Sequence, residues 1–271
     1  MWGCHNLYPY KQTSVDPMNQ MMNPVRWALQ AKFEIRTRCA ATPWLAPVHQ
    51  ATIWWTQWKM RHHIDGRECA VQPDTELVID GFQGSGNSFA TVAFKSCQER
   101  PVRLAHHLHA PAQIIKAVQQ GTPVLVTLRD PADAVVSLVS RWPYVSLSQG
   151  LRAYIRFYTA LTRYLDQMVV SPFDQTTGPI DRVFEAVNER FGTDFTIFAP
   201  TGKNVARIRN KTTLASDEEV ARRAQKEKFR IAIQASKYEA LRRQAYAVYE
   251  KWDQHGVGRS TLKQAAHGKI T

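Results

Sequence analysis

The tightest constraint on the fold is a short apolar run that ends in a glycine-rich turn and passes directly into a helical pattern. Glu76-Leu-Val-Ile-Asp80 follows the Pro73-Asp74 break and reads as a buried strand of parallel-sheet type. Gly81-Phe-Gln-Gly-Ser-Gly-Asn-Ser88 comes next, and Phe89, Val92, Ala93 and Phe94 continue as an apolar helix. Pro123 to Leu128 gives a second strand, set between a helix over Ala112 to Gln120 and another over Pro131 to Ser140. Strand, turn and helix repeated in this order predict an α/β domain, a parallel sheet flanked by helices.

Further helices are predicted over Leu151 to Met168, over Asp181 to Phe191 and, long and highly charged, over Asp217 to Trp252. The first ~20 residues mix Pro, Asn, Gln and Met without a period and read as an irregular arm. From Pro24 to Arg61 the pattern is helical, and Trp44, Val48, Ala51, Trp55 and Trp58 fall on one face, with Arg26, Lys32, Arg36, Arg38, Lys59 and Arg61 nearby. A stripe of this kind ordinarily packs on a core, which is the expectation here; a basic, Trp-bearing helix also suits peripheral contact with a membrane. The chain thus divides into a helical, Trp-rich basic extension over 1–75 and an α/β domain over 76–271 that ends in a helical region.

At 271 residues and 44% apolar, the chain can bury a substantial core. Its 35 Lys and Arg against 23 Asp and Glu leave +12, which favours an anionic partner. Cys4, Cys39, Cys69 and Cys97 form no CxxC pair and stand near no histidines at ligand spacing, so no metal site is expected and reduced thiols in a cytoplasmic protein are. No apolar stretch approaches the ~20 residues that cross a bilayer.

Gly81-x4-Gly86-Asn87-Ser88 has the outline of a phosphate-binding loop, in which the curled backbone and the helix N-terminus face an anion. The lysine of the GxxxxGK[ST] pattern is replaced by Asn87, which argues against a P-loop kinase or NTPase; a plain tight turn is the competing explanation. Immediately after the second strand stand Arg129, Pro131, Asp133 and Ser137. An arginine at the carboxyl end of a parallel strand points into the ligand crevice, and its planar fork suits a phosphate. An ordinary buried Arg–Asp pair at a helix start would use the same residues. Two anion grips at two strand ends describe a ligand with two separate phosphate groups.

The pair of segments resembles the sulfotransferases that use 3′-phosphoadenosine 5′-phosphosulfate (PAPS), with their PKSGTTW-type loop and RxPxDxxxS segment. Gln83-Gly-Ser-Gly-Asn-Ser-Phe89 corresponds to the first and Arg129 to Ser137 to the second. The resemblance implies a P-loop nucleotide-kinase-like architecture and PAPS as donor, with no metal required. It places Gly84, Ser85, Gly86, Asn87 and Ser88 around the 5′ end, Phe89 on the adenine, and Arg129 and Ser137 on the 3′-phosphate. Arg207 and Arg209 stand where the family has a late basic segment that closes on the nucleotide, although a solvated charged face explains them as well. The family's loop lysine falls on Gly84, so a basic residue from elsewhere must replace it or activity is reduced; Lys95, Arg103, Arg141, Arg207, Arg209 and Lys211 are the candidates.

Between the two segments lie His106, His107 and His109. Transfer of a sulfuryl group to a hydroxyl or amine needs a base near neutral pH, and His109-Ala110-Pro111 matches the family's H-x-P position, with His107 as the alternative and plain capping of the next helix as the bland reading. The acceptor is unidentified; a basic, aromatic surface suits a glycan or glycolipid. A basic nucleotide- or membrane-binding protein with degenerate catalysis is the remaining class, and no nucleic-acid recognition motif is present.

Overall fold

The computed structural model describes residues 24–59, 69–212 and 216–259; the expected N-terminal arm, Arg61 and Cys4 lie outside them. Four strands, β1 (Leu77–Gly81), β2 (Leu104–His106), β3 (Val124–Leu128) and β4 (Val169–Pro172), form an all-parallel sheet in the order β2-β1-β3-β4. Helices α1 (Pro24–Ala41) and α2 (Ala46–Lys59) precede it. Between the strands run α3 (Asn87–Cys97), α4 (Pro111–Gln119), α5 (Pro131–Arg141) and α6 (Leu147–Leu161). After β4 come α7 (Phe173–Thr177), α8 (Ile180–Phe191), α9 (Gly202–Thr212), α10 (Ser216–Ala232) and α11 (Glu239–Asp253).

Alternation along the strands divides the core in two. Val78, Val124, Val126 and Leu128 face a layer that includes Ile114 of α4, Val135 of α5, Tyr154 and Tyr158 of α6 and Trp252 of α11. Leu77, Ile79, Leu125 and Val169 face Phe89 and Phe94 of α3, Phe184 of α8 and Ile208 of α9. Both faces being covered explains why β1 and β3 are apolar throughout rather than alternating.

The expected parallel sheet is present, and both predicted strands are found within a residue of their expected bounds. Strands β2 and β4 were not expected, because three or four residues are too few to show a period. The helix expected over Leu151 to Met168 starts earlier, at a capping box of Ser146 and Gln149, and closes in a 3-10 turn over Thr162–Gln167. The single long helix expected at the C-terminus is two, α10 and α11, joined through a 3-10 turn at Ser236–Tyr238 so that α11 can turn Ala245 and Trp252 inward. Cys39 and Cys97 are free thiols, but Cys69 is disulfide-bonded, against the expectation of reduced thiols throughout.

Helix α1 is joined to the main body by polar contacts and by Phe33, and Ala40 is buried as well. Phe33 enters the first core, Gln30 donates to the Tyr144 carbonyl at 2.8 Å, Arg156 pairs with Glu34 at 3.0 Å, and Arg36 donates to the Leu108 carbonyl at 2.9 Å. The tryptophan stripe behaves otherwise. The helical stretch expected from Pro24 to Arg61 is broken by a 3-10 turn at Pro43–Leu45, where Trp44 is exposed; Val48, Ala51, Trp55 and Trp58 lie on the exposed side of α2, which turns His49 and Ile53 inward instead. The expectation that the stripe packs on the core is therefore overturned. Contacts of α2 with the body include one from its polar side, where the Gln113 amide donates to Gln50 at 3.0 Å.

His49 is buried with an unpartnered Nε2, and burial, followed by repulsion from Arg36, pulls its pKa down to about 4. The folded state resists a proton that the unfolded chain accepts near 6.5, so this residue's contribution to stability falls as pH drops from 6.5 towards 4. Comparing thermal melts at pH 7 and pH 5, His49→Leu should lose less melting temperature than the unmodified chain. Equal losses would show that His49 is not the group responsible.

Candidate functional site

The carboxyl ends of the strands converge on the turn between β1 and α3. Gly84 and Gly86 have φ of +83° and +99°, flanking Ser85, and this alternating backbone is the form that aims successive N–H groups into one concavity at a helix N-terminus. Beneath the turn, the Asn87 carboxamide donates to the carbonyls of Phe82 at 3.1 Å and Gly81 at 3.5 Å, and accepts from the Thr127 hydroxyl at 2.6 Å. Asn87 is 3% exposed, so its side chain braces the loop against β3 and its backbone alone is left for a ligand. A Cβ on Gly81 would collide with the Thr127 hydroxyl and carbonyl, so the two strands meet this closely only because position 81 is glycine.

Two tyrosines one turn apart on α6 complete the brace. Tyr158 donates to the Thr127 carbonyl at 2.9 Å, accepts from the Phe82 amide at 3.5 Å and lies 3.4 Å from the Ser85 hydroxyl. Burial raises its pKa, so it remains a neutral donor. Tyr154 donates to the Arg129 carbonyl at 2.8 Å. The Ser85 hydroxyl thus faces inward and its amide bonds to the Phe82 carbonyl at 3.2 Å, which makes Ser85 a support for the loop rather than a donor to a ligand.

The second segment meets the first directly. Arg129 donates to the Gly84 carbonyl at 3.0 Å, approaches Asp133 at 3.4 Å and lies over the Phe173 ring at 4.0 Å. Its Nε–H is buried without an acceptor, and burial lowers the guanidinium pKa against the opposing pull of Asp133 and Asp130. Ser137 sits against the same glycine, because a Cβ on Gly84 would lie 2.8 Å from the Ser137 Cβ and 2.9 Å from its Oγ. Gly84, Arg129 and Ser137 therefore form one cluster. No lysine can stand at position 84 without moving α5, so glycine at this position is built into the packing.

On the other side of the loop, His107 and His109 both have positive φ, +61° and +52°. Such conformations cost about 1–3 kcal/mol each and persist where surrounding contacts over-determine them. Here the contacts are Arg36 on the Leu108 carbonyl and Asp80 on the His109 amide, at 2.9 and 2.8 Å. His109 Nδ1 lies 2.7 Å from the Gly81 carbonyl and 3.1 Å from Asp80. Since both neighbours are acceptors, Nδ1 carries the proton and the lone pair of the neutral ring is on Nε2. Asp80 and the Gly81 carbonyl fix the orientation of the ring.

His107 has the opposite polarity. Lys95 Nζ lies 3.4 Å from His106 Nε2, the two Nδ1 atoms of His106 and His107 are 2.8 Å apart, and His107 Nε2 lies 3.0 Å from the Ser88 hydroxyl. An ammonium only donates, so His106 accepts at Nε2 and donates from Nδ1. His107 then accepts at Nδ1 and donates from Nε2 to Ser88. The chain carries the polarising effect of Lys95 to the first turn of α3, beside the concavity. The two rings are thus set in opposite senses, His107 accepting at Nδ1 and His109 donating from it.

Other expected residues lie elsewhere. Phe89 is buried in the helix–sheet core, and the aromatic ring found against Arg129 is Phe173. Arg207 and Arg209 are on a helix rather than a loop, exposed on either side of the buried Ile208. The late basic residue that reaches the second segment is Arg230 of α10, 3.2 Å from Asp133. Arg103 pairs with Asp74 at the opposite end of the sheet, away from the loop. Asp80, Phe173, Tyr154, Tyr158 and Arg230 were not singled out from the sequence. Only Asp80 carried a signal, a lone carboxylate closing an apolar strand. Among the described residues no group of His, Cys, Asp or Glu could hold a metal ion. No family model, curated protein or solved structure matches the chain.

Two substitutions check the brace. Gly84→Lys should destabilise the fold by roughly 1–3 kcal/mol in denaturant titration, the usual cost of overpacking. Tyr158→Phe leaves the buried Thr127 carbonyl without its donor and should cost about 1–3 kcal/mol. Wild-type stability in both would mean that the loop is not held against α5 and α6 as described.

Proposed function

We propose that this chain is a PAPS-dependent sulfotransferase that transfers the donor's sulfuryl group to a hydroxyl or amine of an acceptor. The observation that carries the reading is the meeting of the two anion-gripping segments at Gly84, where Arg129 and Ser137 stand against the glycine-rich turn. A nucleotide bearing phosphates at both ends of its ribose fits such a pair of grips, and PAPS brings the sulfuryl group already attached to a leaving phosphate.

In this reading Arg129 and Ser137 hold the 3′-phosphate, while the turn around Gly84 and Gly86 and the first turn of α3 hold the 5′ end. Arg129 enters this role by exchanging Asp133 for phosphate, and Arg230, 3.2 Å from Asp133, retains the released carboxylate. His109 Nε2 takes the acceptor's proton as its oxygen or nitrogen bonds to sulfur and the S–O bond to the leaving phosphate breaks. Ser88, polarised through His107, His106 and Lys95, faces the charge left on that phosphate, the task of the missing loop lysine. Of the candidates for that lysine's replacement, Lys95 is the one this chain of bonds favours. An ATP-dependent alternative is less well supported, because Asn87 occupies the required lysine position and is committed to bracing the loop.

Ligand-induced thermal stabilisation distinguishes the donors. 3′,5′-adenosine bisphosphate should raise the melting temperature more than ATP or 5′-AMP at equal concentration, and Arg129→Ala should weaken its binding about 10- to 100-fold, the loss of one or two charge-assisted hydrogen bonds. Equal shifts for the three nucleotides would remove the 3′-phosphate site. His109→Ala should leave that binding within a few-fold while sulfuryl transfer to a generic phenol falls by about 10²-fold or more. Lys95→Met should lower the transfer rate with little effect on bisphosphate affinity; an unchanged rate would detach the histidine chain from the chemistry.

A further inference from the structure

We propose that α2, the Pro43–Leu45 turn before it and the adjoining outer side of α1 form a docking surface for an anionic lipid bilayer. The surface lies apart from the glycine-rich turn and stands whether or not the nucleotide reading does.

Its basis is the inverted orientation of α2. A helix on a water-soluble surface turns its apolar stripe inward. Here Trp44, Trp54, Trp55 and Trp58 are 78%, 65%, 52% and 48% exposed, with Val48 and Ala51 on the same side. The inward side carries a buried histidine, an isoleucine and a glutamine bonded to Gln113. On α1, Trp27 and Ile35 are exposed as well, at 73% and 62%. Large apolar side chains exposed in this number on two successive helices mark an interaction site.

The chemistry of the surface selects its partner. Indole rings favour the headgroup region of a bilayer, where an apolar body and a polar N–H are both satisfied. Residues 24–59 hold five basic residues against the single acid Glu34; of these Lys32 and Arg38 are exposed, while Arg36 turns to the Leu108 carbonyl. Glu34 is already bonded by Arg38 at 2.9 Å and Arg156 at 3.0 Å. Helix α2 has no acidic residue. A second copy of the chain would bring two such positive surfaces together, which like-charge repulsion opposes, whereas an anionic lipid surface attracts them. No helix among the described residues is long and apolar enough to cross a membrane, so the contact is one of lying on the surface.

The test uses the full chain and vesicles of phosphatidylcholine alone or with an equal part of phosphatidylglycerol. Co-sedimentation should favour the anionic vesicles and weaken as salt is added, and brominated lipid should quench tryptophan emission. The double variant Trp44→Ser, Trp54→Ser should keep its melting temperature, since both rings are exposed, and lose about tenfold or more of the partitioning. No sedimentation with either vesicle, equal sedimentation with both, or unchanged partitioning of the double variant would overturn the proposal. So would a concentration-dependent dimer that the same substitutions abolish. Bisphosphate binding is unaffected in every case, so failure here is distinct from failure of the sulfotransferase reading.

Discussion

The site depends on the buried carboxamide of Asn87. It ties two loop carbonyls to the Thr127 hydroxyl and so fixes the glycine-rich turn of β1 to the neighbouring strand β3. Every other feature of the crevice is built on that connection. Tyr158 can reach both strands from α6 because they are held together. Arg129 meets Gly84 because β3 ends level with the turn. His109 can rest on the Gly81 carbonyl because that carbonyl has a fixed position, shared with Asn87. A buried polar side chain with its donors and acceptor satisfied specifies one arrangement more sharply than an apolar contact of the same size, since any slip leaves an unpaired group in a medium that cannot hydrate it.

The same residue explains the division of charge in the site. In a nucleotide-binding loop of the usual kind a lysine at this position both bonds the loop and neutralises phosphate. Asn87 performs the first task and not the second, and Gly84, wedged against Ser137, admits no side chain to take it over. Positive charge therefore reaches the loop by two indirect routes: Arg129 from β3, and Lys95 through two imidazoles to Ser88. The direction of the second route follows from one fact, that an ammonium cannot accept a hydrogen bond. The two histidines of the strained turn are set in opposite senses, Nδ1 of His109 facing two acceptors and Nδ1 of His107 facing His106.

Helix α2 shows where pattern reading and burial part company. The spacing of Val48, Trp55 and Trp58 correctly places them on one side of α2, while Trp44 falls in the 3-10 turn before it, and the period of the α-helix requires no more than that. Which side faces the protein is settled by what the rest of the chain offers. The body already fills its core with Phe33, Ile114 and the residues of α6, and among the contacts it offers α2 is the polar one from Gln113 to Gln50.

What the sequence determined by itself is local: the apolar run of β1, the glycines that permit a left-handed turn, the helix start at Asp130-Pro131, and hence a parallel sheet with a glycine-rich turn and an arginine at its strand ends. These follow from neighbouring residues and their backbone preferences. The short strands β2 and β4, the inward turn of Ser85 and Phe89, the reach of Arg230 to Asp133 and the tautomers of the histidines were decided only by the tertiary structure. Each of them depends on a partner far away in the chain, such as Tyr158 for Ser85, Asp133 for Arg230 and Asp80 for His109, and no window of sequence holds both members of such a pair.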